Sequence, residues 1–157
     1  MAERENILMT QQGWLNLVDE ISSRFSGGEL IPHEWLKKRF GIAELDFNDF
    51  ESQGEFIKAL QEQQFAYMAC VEKLRCKLLD EMQICISNVW GDGYKIVPSN
   101  DQARYGYDGF IKDLKKAMRE ARAIMYNVAA VDAEQQRKDN DLRAKFAHLA
   151  EMIKSSK

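Results

Sequence analysis

Hydrophobic side chains recur every three or four residues along most of the chain, and this spacing predicts helices. The first such stretch begins after Thr10, whose hydroxyl can cap a helix. It stops at Ser26-Gly27-Gly28, where glycine allows the left-handed backbone of a helix end. We therefore expect a first amphipathic helix between these points. Its apolar stripe consists of Trp14, Leu17, Val18, Ile21 and Phe25.

A second, shorter helix is predicted to hold Pro32 in its first turn, where a proline loses no hydrogen bond. The preceding segment, Glu29-Leu30-Ile31, is long enough only for a turn or a short strand. Gly41 ends the helix, and three cations in its last turn either favour the helix dipole or contact a phosphate. The helix directs Trp35, Leu36 and Phe40 inward, and its terminal cations are Lys37, Lys38 and Arg39.

Residues 43–55 form an acidic connector, in which the acidic excess of the chain is concentrated. The same segment carries Leu45, Phe47 and Phe50. A disordered linker rarely contains several aromatic residues, so we expect the connector to pack back on the domain.

A long third helix is predicted from about Gly54 to Met82, because its apolar positions alternate at steps of three and four. The resulting seam has one polar interruption. Cys70 and Cys76 lie on this helix and are interpreted as small buried hydrophobic residues. The seam consists of Ile57, Leu60, Gln64, Tyr67, Val71, Leu74 and Leu78.

The pattern then changes to short β-prone runs at residues 84–89 and 94–97, separated by Trp90-Gly91-Asp92-Gly93. Two such runs around a Gly-Asp-Gly turn predict a β-hairpin. Gly93 is expected to adopt a backbone conformation that other residues adopt only at a cost, because it closes the turn. Trp90 and Tyr94 are interpreted as aromatic residues that pack on the core or the hairpin rather than contact a ligand.

The remainder is predicted to be helical, with two apolar seams separated by a polar stretch at residues 134–141. This break is a kink, a turn between two helices, or a solvated length of one helix. Because the seams need an apolar partner, they pack together within one chain or across a twofold axis. The first seam consists of Tyr107, Phe110, Leu114, Ala117, Ala121, Ile124, Val128 and Val131, and the second of Leu142, Phe146, Leu149 and Ile153.

Composition narrows the class of protein. The 157 residues are 45% hydrophobic and 30% charged, as in soluble proteins of one domain or one domain with an appendage. No apolar run approaches the ~18–20 residues of a membrane span, and the first residues lack the features of a signal peptide. Three cysteines without CxxC spacing fit a reducing compartment. We therefore expect a cytoplasmic protein.

The net charge of −3 is unevenly distributed along the chain. Residues 1–60 carry six Lys and Arg against eleven Asp and Glu, whereas residues 61–157 carry sixteen against fourteen. The basic excess is strongest at Arg104 and from Lys112 to Arg122. This distribution excludes a uniformly basic nucleic-acid-binding protein but allows a local basic surface.

Motifs for catalysis and for metal binding are missing from the sequence. Its two histidines, His33 and His148, lie in distant segments, and no HExxH, GxSxG or glycine-rich phosphate loop occurs. The acidic connector fails the EF-hand pattern because Phe50 occupies the fifth loop position and no glycine follows. The cysteines and histidines lack zinc spacing. We therefore expect no enzyme, no catalytic residue, no metal and no cofactor.

The predicted elements follow the order of a winged helix-turn-helix: helix, short strand, helix, recognition helix and two-stranded wing. Residues 71–96 are similar to the recognition-helix end and wing of the output domains of two-component response regulators. In that family Leu-Arg-x-Lys-Leu precedes Ile-x-Thr-Val-x-Gly-x-Gly-Tyr; Asn88 replaces the threonine here, and the sequence contains no receiver domain. The resemblance implies a winged-helix shape and, by analogy, DNA binding. The matching residues are Leu74, Arg75, Lys77, Leu78, Ile86, Val89, Gly91, Gly93 and Tyr94.

The fold class expected from these features is mainly α with a small β-hairpin. A winged-helix core over residues 1–100 would precede a long, coiled-coil-like helical tail over residues 101–157. The first functional hypothesis is a small dimeric regulator that binds duplex DNA through its third helix and wing. Its DNA contacts would come from Lys37, Lys38, Arg39, Lys58, Gln61, Gln64 and Lys95, and its homodimer interface from Phe110, Leu114, Ala117, Ala121 and Ile124.

The alternative hypothesis is a protein-binding module on the same scaffold, because the acidic connector and a pI near 5.5 favour a protein target. Such a module would inhibit a host or regulatory factor, or cover a basic surface by mimicking DNA, as proteins of phages and other mobile elements do. A third hypothesis is an assembly adaptor held by coiled-coil contacts alone.

Overall fold

The computed structural model describes residues 10–127, 129 and 132–155. The chain is mainly helical and contains a small three-stranded antiparallel sheet. It divides into two compact units, Met1–Ala103 and Arg104–Lys157. Among the described residues, no helix combines the length and the apolar character that crossing a membrane requires.

Three helices and three short strands make up the first unit. A 3-10 turn, Phe47–Asp49, lies within the predicted connector. The bounds of the helices and of the hairpin are close to the predicted ones. In chain order the elements are α1 (Gln11–Arg24), β1 (Leu30–Pro32), α2 (His33–Arg39), α3 (Gln53–Met82), β2 (Ile86–Val89) and β3 (Gly93–Ile96).

Local side chains and backbone set the ends of these helices. The hydroxyl of Thr10 accepts a hydrogen bond of 3.0 Å from the N–H of Gly13, which confirms the predicted cap of α1. Ser52 caps α3 in the same way, accepting a hydrogen bond of 3.3 Å from the N–H of Glu55. At the other end of α3, Gln83 adopts the left-handed conformation, with φ of 53°.

The sheet is one strand larger than the predicted hairpin. Its strand order is β1-β3-β2, so β3 lies in the centre and pairs antiparallel with both neighbours. Pro32 ends β1 and precedes α2, rather than lying in the first turn of that helix. Gly93 pairs with Pro32, and a Cβ at Gly93 would collide with the carbonyl oxygen of Ile31. The approach of β1, in addition to the turn, therefore requires glycine at this position.

The two aromatic residues of the hairpin differ in their surroundings. Tyr94 is half-buried and packs against the core of the first unit, as predicted. Trp90 is 94% exposed, so the prediction that it packs on the core or the hairpin is wrong. Its position before the glycine-rich turn places it beyond the edge of the sheet, where the strands no longer supply a packing surface.

The core of the first unit lies between α1, α2, α3 and the sheet. The predicted seam of α3 is buried only from Tyr67 to Leu78, whereas Ile57 and Leu60 are 46% and 40% exposed. With 30 residues, α3 is about 45 Å long, and its first half extends past the elements that cover the second half. The core consists of Trp14, Leu17, Val18, Ile21, Ile31, Leu36, Phe40, Tyr67, Val71, Leu74, Leu78, Ile86 and Ile96.

The prediction of two buried cysteines on α3 is wrong for Cys76, which is exposed. Cys70 is half-buried and packs against the core, and burial raises the pKa of its thiol while Lys73 lowers it. A separation of six residues on a helix places two side chains on different faces. As a consequence, Cys70 faces the core and Cys76 faces solvent.

The acidic connector packs on the first turns of α3. The rings of Phe47 and Phe50 lie 5.3 Å and 5.4 Å from the ring of Phe56. The side-chain amide of Gln63 donates a hydrogen bond of 2.5 Å to the carbonyl oxygen of Ala43. These contacts confirm that the connector packs back on its own domain.

The second unit consists of α5 (Ala133–Ser155) and of α4 (Gln102–Tyr126) from Arg104 onward. The guanidinium of Arg143 donates a hydrogen bond of 2.9 Å to the carbonyl oxygen of Met125, and that of Arg122 lies 6.0 Å from the ring of Phe146. The predicted break, the polar stretch 134–141, lies within α5 and is exposed except at Asp139. Of the three alternatives, it is therefore a solvated length of one helix, and α4 and α5 are separate helices.

The apolar seam of α4 is only partly covered. Leu114 and Ala121 are half-buried, whereas Phe110 and Ile124 are 61% and 73% exposed and Ala117 is also exposed. None of the side chains described for α4 is fully buried. Two further residues of the predicted seam, Val128 and Val131, lie outside the described residues.

Candidate functional site

A groove of about 600 Å³ lies between α2, α3 and the β2–β3 turn, and we call it the α2–α3 groove. Its floor is partly apolar, with Ile42 and Leu60, and its rim carries groups that form hydrogen bonds. Gly91 of the β2–β3 turn closes one side. The polar residues that line it are His33, Glu34, Lys37, Gln63, Gln64 and Tyr67.

His33 joins the three elements that surround the groove. Its Nδ1 shares a hydrogen bond of 2.7 Å with the hydroxyl of Tyr67 on α3. Its ring packs edge-on against the rings of Tyr67 and Tyr94, at 5.7 Å and 5.4 Å. Its backbone N–H donates a hydrogen bond of 3.1 Å to the carbonyl oxygen of Asp92 in the turn. The first residue of α2 therefore holds the turn and α3 in fixed positions.

Burial controls the protonation of the two tyrosines beside His33. It raises the pKa of the Tyr67 hydroxyl strongly, and Tyr94 raises it further. Burial also raises the pKa of Tyr94, which Arg75 lowers and Glu72 raises. Both hydroxyls therefore keep their protons near neutral pH. Tyr67 can donate to Nδ1 of His33, which fixes the orientation of the imidazole.

Two of the predicted DNA contacts, Lys37 and Gln64, meet in the α2–α3 groove. The ammonium of Lys37 lies 5.9 Å from the centre of the Tyr67 ring. Glu34 lines the same groove, so the groove carries a negative as well as a positive side chain. This arrangement can form hydrogen bonds to an uncharged polar edge, and it attracts a phosphate only through Lys37.

The other predicted contacts are exposed but lie outside this groove. The guanidinium of Arg39 forms an ion pair with Glu20 and lies 5.2 Å from the ring of Trp35, so it already has partners in the fold. The ammonium of Lys58 is 3.9 Å from a carboxylate oxygen of Glu62. Lys38 and Gln61 are exposed at positions that do not line the groove.

Lys95 lies on the outer face of the sheet. In β3 it pairs with Leu30 on one side and Ser87 on the other, and it is exposed. Its neighbour Ile96 is buried, and successive side chains of a strand point to opposite faces. Lys95 therefore projects away from the helices, and the structure does not bring it to Lys37 and Gln64.

Three apolar side chains of the first unit are strongly exposed, and two of them, Phe65 and Met68, belong to no predicted seam or site. Trp90 is 94% exposed next to Gly91, which lines the α2–α3 groove. Phe65 and Met68, on the solvent side of α3, are 71% and 56% exposed. The sequence could have indicated the exposure of Phe65 and Met68, because both fall between the seam positions Gln64, Tyr67 and Val71 and so lie off the seam face.

A second groove, of about 610 Å³, lies in the second unit, and we call it the basic groove. It is lined by Lys112, Lys115, Met118, Arg119, Arg122 and Lys154. Four of its five cations belong to the basic stretch of α4 that the charge distribution indicated. Lys154 comes from the last turn of α5, and no sequence pattern connects it to the others.

The described residues contain no group of three or more His, Cys, Asp or Glu side chains that could hold a metal ion. In the acidic connector, Asp46 accepts hydrogen bonds from the N–H and the side-chain amide of Asn48, at 3.0 Å and 2.8 Å. This carboxylate therefore stabilises the 3-10 turn.

No protein-family model, no curated protein and no solved structure matches the chain significantly.

Proposed function

We propose that the first unit is a winged helix that binds duplex DNA and that the chain is a small dimeric regulator. The observation that supports this best is the order of its elements, helix–strand–helix–helix–strand–strand, in a sheet of order β1-β3-β2. In a winged helix-turn-helix, the third helix enters the major groove and the hairpin contacts the adjacent backbone. Here α3 would be the recognition helix, and the β2–β3 hairpin would be the wing.

The α2–α3 groove supplies the chemistry for this contact. Gln64 can donate to and accept from an adenine edge in the major groove. Lys37 can contact a phosphate, which positions the protein without reading sequence. Because His33 ties the turn to α3 through Tyr67 and Asp92, both contacting elements are held before DNA binds. The exposed Trp90 would then lie against the backbone at the edge of the site.

Dimerisation would place two such units on two half-sites of a palindrome. The exposed part of the α4 seam, with Phe110 and Ile124, supports a homodimer, because exposed apolar surface along one helix face marks an interaction site. The interface would also include Leu114, Ala117 and Ala121.

Equilibrium binding to a duplex library tests the proposed function, with the full chain and two variants. Lys37→Gln should weaken binding equally at all sequences and lower the salt slope by about 1, because it removes one phosphate contact. Gln64→Ala should reduce discrimination at one base position, by about 1–3 kcal/mol. Lys138→Gln is the matched control, because Lys138 lies on α5 and outside both grooves. If the parent does not bind DNA even at about 50 mM salt, where phosphate contacts are strong, the proposal is wrong.

A protein target is the second candidate function, and exposed apolar side chains favour it. Phe65, Met68 and Trp90 are more than half exposed on the first unit, and aromatic residues and methionine are enriched at protein interfaces. The acidic connector adds charge for a basic partner. A pull-down with and without nuclease separates the two functions. A partner protein that is retained after nuclease treatment, and lost in the Phe65→Ser variant, supports the protein-binding function.

A further inference from the structure

The basic groove of the second unit concentrates uncompensated positive charge. Five of its six lining residues are cations, and the sixth is Met118. In the described part of the chain, none of these five cations forms an ion pair, although other Lys and Arg side chains of α4 and α5 do. The guanidinium of Arg122 lies 6.0 Å from the ring of Phe146, a contact that does not neutralise its charge. A groove with this charge favours an anion.

The helical spacing of the cations explains why acidic neighbours do not neutralise them. Lys112, Lys115, Arg119 and Arg122 follow at steps of three and four, so they share one face of α4. Asp113 and Glu120 each follow a groove cation by one residue and are therefore turned about 100° around the helix. The acidic side chains face away from the groove as a result.

The length of the basic face indicates a polymeric anion. Lys112 and Arg122 are ten residues apart, which is about 15 Å along α4. A single phosphate group cannot contact cations spread over this distance. A nucleic-acid strand presents phosphates about every 3.4 Å along the helix axis, so about four phosphates match the face.

We infer that the basic groove is a second DNA-contacting surface, which binds the phosphate backbone of duplex DNA independently of base sequence. The choice of duplex DNA as the polyanion rests on the proposed function of the first unit. A membrane surface is the less suitable anion, because an interfacial helix needs an apolar face that is free to enter the bilayer. The apolar face of α4 is partly covered, with Leu114, Met118 and Ala121 half-buried.

The contribution of the basic groove to the salt dependence of DNA binding follows from counterion release. Four phosphate contacts give a salt slope of about −3.6, so affinity from the groove alone should fall about 150-fold between 50 and 200 mM salt. Removing two of the cations should make the salt slope less negative by about 1.8 and reduce the fall in affinity between 50 and 200 mM salt about tenfold.

The test measures binding of the full chain to a labelled duplex of mixed sequence across a salt series. The variant is Lys115→Gln with Arg119→Gln, two exposed positions at which glutamine supports a helix. The matched control is Lys138→Gln with Lys145→Gln, which removes the same charge from α5 outside the groove. We expect the groove variant to flatten the salt dependence by the amount above and the control to retain the parent slope.

Separate outcomes decide the inference and the proposed function. If the groove variant keeps the parent slope while Lys37→Gln flattens it, the inference is wrong and the proposed function stands. If the groove variant flattens the slope while Lys37→Gln and Gln64→Ala bind like the parent, the inference stands and the α2–α3 groove is not the contact. A parent that binds vesicles rich in phosphatidylserine through these cations, and binds no DNA, overturns the inference in favour of a membrane surface.

Discussion

Replacing Gly93 by alanine should destabilise the first unit, because a Cβ there has no room. It would collide with the carbonyl oxygen of Ile31 and lie 2.9 Å from the carbonyl carbon of Ile31 and 3.0 Å from Cα of Pro32. All three atoms belong to the backbone of β1, so no side-chain rotation can relieve the clash. Either the backbone strains or β1 moves away from β3.

Both responses to this clash have a calculable cost. Strained backbone costs about 1–3 kcal/mol per residue, and two strands would share it. Separating β1 removes ladder hydrogen bonds worth about 1 kcal/mol each and exposes Ile31, which is fully buried, at about 1.5–3 kcal/mol. We therefore expect Gly93→Ala to lower the free energy of unfolding by about 3 kcal/mol. For a unit of this size the midpoint should fall by about 10–20 °C.

Tryptophan fluorescence during urea unfolding measures this effect. The three tryptophans, Trp14, Trp35 and Trp90, all lie in the first unit, so the signal reports that unit. Gly91→Ala is the matched control, because Gly91 has φ of 84° but no heavy atom lies within 4 Å of its added Cβ. It should cost only about 1 kcal/mol, from the left-handed conformation alone. Equal destabilisation by the two variants would refute the reasoning, since only Gly93 approaches another strand.

Four further predictions concern the His33 contact and the second unit. Tyr67→Phe should lower the free energy of unfolding by about 1 kcal/mol, because it removes the hydrogen bond to His33, whereas Tyr107→Phe at an exposed position should have no effect. Burial raises the pKa of Tyr67 in the folded state, so above about pH 10 the unfolded state loses this proton more readily than the folded state. The free energy of unfolding of the parent should therefore decrease as the pH rises above about 10. A urea-unfolding series at increasing pH should show a smaller decrease in Tyr67→Phe. Gly106→Ala should stabilise α4 by about 0.5–1 kcal/mol, because alanine is favoured over glycine within a helix and its Cβ would meet nothing within 4 Å. Thermal unfolding followed by circular dichroism should show a higher midpoint, and a lower midpoint would contradict this prediction. Leu114→Asp should weaken a homodimer in sedimentation equilibrium by placing a charge in the seam, whereas a parent that is monomeric at micromolar concentration would mean that the seam packs within one chain.

The start of α1 and the end of α3 were predictable because their signals are local. Thr10 caps α1 as the sequence predicts, and the change from helical to β-prone spacing after residue 82 marks the end of α3. Capping hydrogen bonds and left-handed backbone involve residues within one turn of each other, so the amino-acid sequence contains the necessary information. The order of the elements in the first unit followed from the same signals.

The depth of burial along a helix was not predictable in this way. The seam of α3 is continuous in sequence from Ile57 to Leu78, yet only its second half is buried. Helical periodicity determines which residues share a face but not which neighbouring elements reach that face. The exposure of Trp90 has the same origin, because its surroundings depend on where the sheet ends.

The sequence by itself determined the helices of the first unit, the hairpin and the basic stretch of α4. Only the tertiary structure decided that Leu30–Pro32 joins the sheet, that Lys37 and Gln64 share one groove while Lys95 faces the other side, and that Lys154 completes the basic groove. These contacts join residues far apart in the chain. They depend on how packed elements meet, which a local pattern of side chains does not encode.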